Sequence, residues 1–242
     1  MKPPWTDDRL LGGRVLLRQP RTGFRSGSDA VLLAAACDPP WRASVLELGC
    51  GTGAPMLALA ARRRDISFTG LERDPETAAL AACNIVRNGF RRRGQVMTGD
   101  VNALPCPDSA FDLVLANPPY FVEGRHRISP DPDRNRGRAE TSATLAQWIR
   151  TALSAATPSG TSVFIMRMER LDDALTALPP THGADMLPIL GNPQKPPKRV
   201  LLRIRRGQET RSLNPIRLHH PDGEETMLAR SVFRHAAPIF WR

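Results

Sequence analysis

The sequence predicts a doubly wound α/β domain on a mostly parallel sheet, and three observations carry that prediction. The stretch Val45 to Leu59, VLELGCGTGAPMLAL, runs from a short apolar segment through Gly49, Gly51 and Gly53 into an apolar pattern of helical period, which reads as strand, tight turn, helix. Strand-like and helix-like segments then alternate as far as Ala116. Among polar residues that could hold a ligand, Glu72 and Asn117 follow directly on strand-like segments, and Asp100 comes two residues after one. In sheets of this kind ligands sit beyond the carboxyl ends of the strands, where the strand order reverses.

Taken in order, LLGGRVLLRQ at residues 10 to 19 suggests a short hairpin or edge strand before Pro20. RTGFRSGSDAVLLAAAC follows as a Gly-rich loop and an apolar helix, with Ser28 or Asp29 as its N-cap. Val45 to Leu48 is the first core strand, Pro55 to Arg63 a helix, and Ser67 to Leu71 the second strand. Asp74-Pro75 opens a helix with a cap and an N1 proline, and Asn88-Gly89 closes it. Gln95 to Thr98 and Phe111 to Ala116 are further strands, the second running into Asn117-Pro118-Pro119-Tyr120. Residues 121 to 143 show no period and are rich in Arg, Asp, Pro and Gly; a functional loop and an unstructured connection are both open. The remainder reads as a helix with Leu145, Trp148 and Ile149 on one face, a strand from Ser162 to Arg167, and a helix from Glu169 to Leu178. It continues with strands at Asp185 to Leu190 and near KRVLLRIRRG, and a closing amphipathic helix within Glu224 to His235.

The chain of 242 residues is long enough for one full core, and its net charge of +10 favours a polyanionic partner, a solubilising basic surface being the alternative. The four cysteines stand apart with no CxxC pair, which fits a reduced, cytoplasmic protein and suggests no metal site. No apolar run is long enough to cross a bilayer, so no membrane partner is expected.

Glycines at the turn permit positive φ and let a ligand approach the backbone, while the following helix presents free N–H groups. With Glu72 and Asn117-Pro118-Pro119-Tyr120 the chain resembles the class I S-adenosylmethionine (SAM) methyltransferases that act on a planar nitrogen. That resemblance implies a Rossmann-like, seven-stranded, mostly parallel sheet in residues 41–242. It also implies an N-terminal hairpin and helix, residues 1–40, covering the cofactor site. Nearly the full chain is similar to the tRNA1(Val) adenine-N6 methyltransferases, on GGRVLLRQPRTGFRSGSDAVLLAAA, NPPYF, RGRAETSATLAQWIRTA and KRVLLRIRRG. The resemblance implies N6-methylation of an adenine in tRNA, next to the anticodon, with SAM as the cofactor. Asn117, Pro118, Pro119 and Tyr120 would form the catalytic tetrapeptide. Asp29, Glu47, Gly49, Gly51, Gly53, Glu72, Asp100 and Asn117 would line the cofactor, with Glu72 on the ribose and Asp100 on the adenine amine. Tyr120, Arg125, Arg127, Lys198, Arg203 and Arg205 are the candidate RNA contacts, an ordinary solvated strand face being the rival reading for the last three. Capping its own helix is an equal reading for Asp29. A protein glutamine N5-methyltransferase shares the tetrapeptide, and a catalytically silent RNA-binding module on the same fold is the alternative from another class.

Overall fold

The computed structural model describes residues 4–23, 25–119, 121–122, 139–140 and 143–242. The chain opens with an antiparallel hairpin, β1 (Trp5–Leu10) and β2 (Val15–Pro20), joined by a 3-10 turn, and then α1 (Ser28–Ala36). The core follows as β3 (Ser44–Leu48), α2 (Ala54–Arg62), β4 (Ser67–Glu72), α3 (Pro75–Arg87), β5 (Gly94–Thr98) and β6 (Phe111–Ala116). Two short strands, β7 (Phe121–Val122) and β8 (Ala139–Glu140), pair with each other. Next come α4 (Leu145–Ala155), β9 (Ala156–Arg167), α5 (Leu171–Thr176), β10 (His182–Leu190) and β11 (Arg199–Arg206). Two-residue strands β12 (Arg211–Ser212) and β13 (Ile216–Arg217) and the helix α6 (Met227–His235) complete the order.

The main sheet runs β12-β10-β11-β9-β6-β3-β4-β5, with β13 beside β10. Strands β5, β4, β3, β6 and β9 are parallel, and β11 is antiparallel to both neighbours. The expected seven strands are present, and β12 and β13 add two short edge pairings. From β3 the chain moves outward through β4 to β5 and returns across β3 to β6, so the strand order reverses between β3 and β6.

Both faces of the sheet are covered, which is why β3 and β6 read as nearly continuous apolar runs. Val45, Leu113 and Leu201 pack in one cluster with α1, α2 and α6; Leu46, Leu48, Val114 and Leu202 pack in the other with α4 and α5. Helix α1 is buried from Ala30 to Ala36, so its terminal carbonyls need partners inside the protein. Arg62 donates to Ala34 O at 3.0 Å and also to Cys37 O, Ile239 N to Ala35 O at 2.7 Å, and Trp241 Nε1 to Ala36 O at 2.8 Å. The hairpin is held by two asparagines one turn apart, Asn84 on α3 and Asn88 at its C-cap. Asn84 Oδ1 and Nδ2 bridge the N–H and C=O of Arg18 at 2.8 and 2.9 Å, and Asn88 does the same for Leu16 at 2.9 and 2.7 Å. The two side chains thus act as a partner for β2 where no strand is available.

Several boundaries differ from the sequence expectation. Strand β1 extends the hairpin back to Trp5, where the run WTDDRL shows no clear alternation. Strand β9 starts at Ala156 rather than Ser162, because residues 157–160 bulge between the pairs Phe111↔Ala156 and Leu113↔Thr161 and their Pro158 and Gly160 imitate a turn. The N-cap of α1 is Gly27 with no side-chain cap bond, so neither Ser28 nor Asp29 caps it. The helix expected over Glu169 to Leu178 is a 3-10 turn, Met168–Arg170, followed by the short α5.

Candidate active site

Strand register brings the ligand-type residues to one rim. Leu48 pairs with Leu71 on one side and Ala116 on the other, and Glu72 pairs with Thr98. The next residues, Gly49, Glu72 and Asn117, therefore leave the sheet at the same level, and Asp100 follows two residues beyond β5. With strands ~4.8 Å apart, the order Asp100, Glu72, Gly49, Asn117 spans roughly 14 Å, the scale of an elongated nucleoside ligand.

The glycine turn is shaped by backbone that other residues avoid. Gly49, Gly51 and Gly53 have φ of 59°, 55° and 87°. A Cβ on Gly49 would run into the Trp148 ring, whereas one on Gly51 would meet nothing within 4 Å. Gly49 thus admits the helix beneath it, and Gly51 faces open space that a ligand can enter. Glu72 fixes the turn: Oε2 accepts from Gly51 N and Oε1 from Asp74 N, both at 2.9 Å. On the far side, fully buried Asn84 donates to Thr52 O at 3.0 Å, tying the turn to the same residue that clamps β2.

Glu47 is 2 % exposed and accepts from Met56 N at 2.9 Å, in the first turn of α2. It supports the turn from below and is not displayed on its open side. Burial pushes the Glu47 carboxyl well above the usual range, the Met56 N–H opposes this, and the charge of Glu72 adds to it. A group with a raised folded pKa contributes fully below its unfolded value of about 4.3 and loses that contribution as pH rises through its folded value. Glu47→Gln keeps an acceptor without the charge. Thermal melts should show it equal to wild type in acid and more stable above neutrality, and a fall in stability at both ends would contradict this.

Asp100 is half-buried and accepts from Asn102 N at 2.8 Å. Asn117 and Pro119 are half-buried and Pro118 is buried at the end of β6. Tyr120, Arg125 and Arg127 lie outside the described residues. Asp29 bonds Arg199 at 2.8 Å, and Arg199 pairs with Arg167 at the end of β9, so Asp29 belongs to the rim end of the sheet. Lys198 is exposed at that same end.

Arg203 and Arg205 are the remaining candidate RNA contacts. They run down β11 away from the rim, and both bond Asp185, itself 2 % exposed, at 2.6 to 2.9 Å; Arg211 joins the same carboxylate at 2.5 Å. Trp241 covers the Arg203 guanidinium at 4.6 Å. The alternation of β11 was readable, but the acid that gathers its cations comes from β10, which no local pattern reveals. Two positioning residues also escaped the sequence reading. Trp148 was legible only as a core residue of an amphipathic helix, and Asn84 as one polar residue within α3.

Residues 45–134 match a family model described as a methyltransferase domain. The chain is similar to a tRNA1(Val) (adenine(37)-N6)-methyltransferase of Actinobacillus succinogenes, 34% identical over 65% of this chain and 66% of that one. A relative of the same description from Porphyromonas gingivalis is 31% identical over 78% of this chain and 77% of its own. The chain belongs to the tRNA1(Val) adenine-N6 methyltransferase family. In fold it is similar to the crystal structure of a predicted O-methyltransferase from Agrobacterium tumefaciens, with a TM-score of 0.73, 24% identity, and 87% and 98% of the two chains covered. It is a SAM-dependent methyltransferase with the Rossmann-like sheet of that class.

The rim fits the cofactor of the family. Gly51 leaves a cradle that a side chain would fill, and Glu72 places a carboxylate beside it. Among the described residues no helix is long and apolar enough to cross a membrane. Glu72→Ala removes a carboxylate that orders the turn, and a charge-assisted hydrogen bond is worth about 1.5–3 kcal/mol. SAM affinity measured by calorimetry should fall about tenfold or more, since tenfold is 1.4 kcal/mol; an unchanged Kd would contradict the assignment.

Proposed function

We propose that this methyltransferase acts on the exocyclic N6 amine of an adenine in tRNA, next to the anticodon. The observation that carries the reading is the Asn117-Pro118-Pro119 segment emerging from β6 beside the glycine turn, with Tyr120 next in sequence. The names of the relatives support the same substrate.

An adenine amine is a weak nucleophile because its lone pair is delocalised into the ring. The side-chain oxygen of Asn117 and the backbone carbonyl of Pro118 each accept one N–H, which draws the nitrogen toward tetrahedral geometry and frees its lone pair. The prolines fix φ and so hold the two acceptors in place. Tyr120 stacks on the base, an interaction worth about 1–3 kcal/mol in single-stranded recognition. The bound cofactor would supply an electrophilic methyl on a sulfonium that becomes a neutral thioether, and the methylated nitrogen would then release one of its two protons to solvent. Glu72 takes the ribose hydroxyls, Asp100 the adenine amine of the cofactor, and Gly49, Gly51 and Gly53 its amino-acid portion, with Glu47 supporting from beneath. Alignment of two held reactants is the main source of rate.

Residues 1–40 act as the cover of the cofactor site, with Asp29 near the methionine moiety. The net charge of +10 draws the RNA, and Lys198, Arg125 and Arg127 serve as phosphate contacts. Such a substrate places the enzyme in the cytoplasm. The test is incubation with labelled SAM and total tRNA followed by nucleoside analysis. N6-methyladenosine in tRNA, with no label in protein or DNA controls, is the expected result. Label on glutamine of a protein control in place of tRNA would overturn the reading.

A further inference from the structure

We infer that the protein carries a second site, for a phosphate group, at the end of the sheet remote from the glycine turn. A cleft of about 100 Å³ is lined there by Ser109, Thr157, Ser162, His182, Arg205 and Arg206, among others. Ser109 precedes β6, Thr157 lies in the bulge of β9, His182 opens β10 and Arg206 closes β11, so the cleft sits where the parallel strands begin. The six residues of β6 separate it from Asn117 by roughly 20 Å at ~3.3 Å per residue. It is therefore distinct from the active site.

Charge and unmet hydrogen bonding both point to an anion. No carboxylate lines the cleft; Asp185 is engaged by three arginines, and Asp108 beside Ser109 bonds Ser154 Oγ. Among the described residues Arg206 forms no ion pair. Burial, and to a lesser degree the charge of Arg206, push the His182 imidazole below its usual range. Two solvent-shielded polar atoms without a hydrogen-bond partner, Thr157 Oγ1 and Arg205 Nε, belong to side chains that line this cleft. Native proteins pair nearly all such atoms, and phosphate oxygens accept from both a hydroxyl and a guanidinium. The bulge packs closely around Thr157: a Cβ on Gly160 would lie 3.0 Å from Thr157 N, O and Oγ1.

The inference does not rest on the identity of the methyl acceptor. The probe is inorganic phosphate, titrated into the full chain while amide and arginine Nε–H resonances are followed by NMR. Saturable shifts at Thr157 and Arg205 are expected, with affinity lowered about fivefold or more in Thr157→Val and Arg206→Gln. Without phosphate, Thr157→Val should melt at or above wild type, because it removes an unsatisfied hydroxyl. Absence of saturable shifts, or a lowered melting temperature in Thr157→Val with phosphate affinity intact, overturns the site. A tRNA arm identifies the source of the phosphate. A salt slope of tRNA binding reduced by about 1 in Arg206→Gln assigns it to the RNA backbone. An unchanged slope with phosphate affinity lost assigns it to a free phosphate.

Discussion

Asn117→Ala is expected to lower methyl transfer about 10²–10³-fold, the loss typical of removing one fixed hydrogen-bonding group that acts on the reacting centre. SAM affinity should stay within a few fold, because in the proposed arrangement the cofactor would be held by the turn and by Glu72, which lie on the other strands of the rim. Single-turnover methylation and calorimetry separate the two quantities. The loss arises because Pro118 O alone holds one of the two amine hydrogens and leaves the nitrogen lone pair in the ring. Asn117→Asp keeps an acceptor oxygen in the same position and should retain more activity than alanine. If Asn117→Ala loses cofactor binding as steeply as transfer, the residue shapes the turn and the proposed role in aiming the lone pair is wrong.

Asp185→Ala should be strongly destabilising. It removes the one acid that joins Arg203, Arg205 and Arg211 and leaves three guanidiniums facing each other. Breaking a buried ion pair from one side costs about 3–5 kcal/mol, and because Arg205 and Arg211 reach solvent the lower end, about 3 kcal/mol, applies here. For a chain of this size that is a fall of ~6–12 °C in Tm. Burial pushes the Asp185 carboxyl up, but hydrogen bonds from Arg211 and Arg203 more than offset this and hold it below the usual range. A depressed folded pKa contributes stability above the unfolded value of about 3.9 and loses it as pH falls through the folded value. The variant should therefore lose less on acidification than wild type does. Equal acid limbs would show that the cluster is not linked to folding.

The alternating core was legible because β3, β4 and β6 are buried on both faces and so read as short apolar runs, each followed by a polar residue at the rim. Gly49 and Gly51 were legible because a positive φ and a close approach demand glycine. The hairpin was half-legible, since β2 alternates but β1 is held by pairing with β2 and by ion pairs such as Arg18 to Asp7 at 2.9 Å. The relations that cross the fold were not legible. Glu47 reads as an acid at the turn, yet its carboxylate faces α2; Asn84 joins β2 to the turn across distant stretches of chain; Asp185 gathers cations from two other strands. Each depends on which elements the topology makes adjacent.

The most direct test of a single site shared by the turn and Asn117 is a crystal structure of the full chain with S-adenosylhomocysteine. The account predicts the product cofactor lying along the strand ends, its ribose on Glu72, its amino-acid portion over Gly51 and its sulfur directed toward Asn117. A cofactor bound away from this rim, or with its sulfur facing away from Asn117, would contradict it.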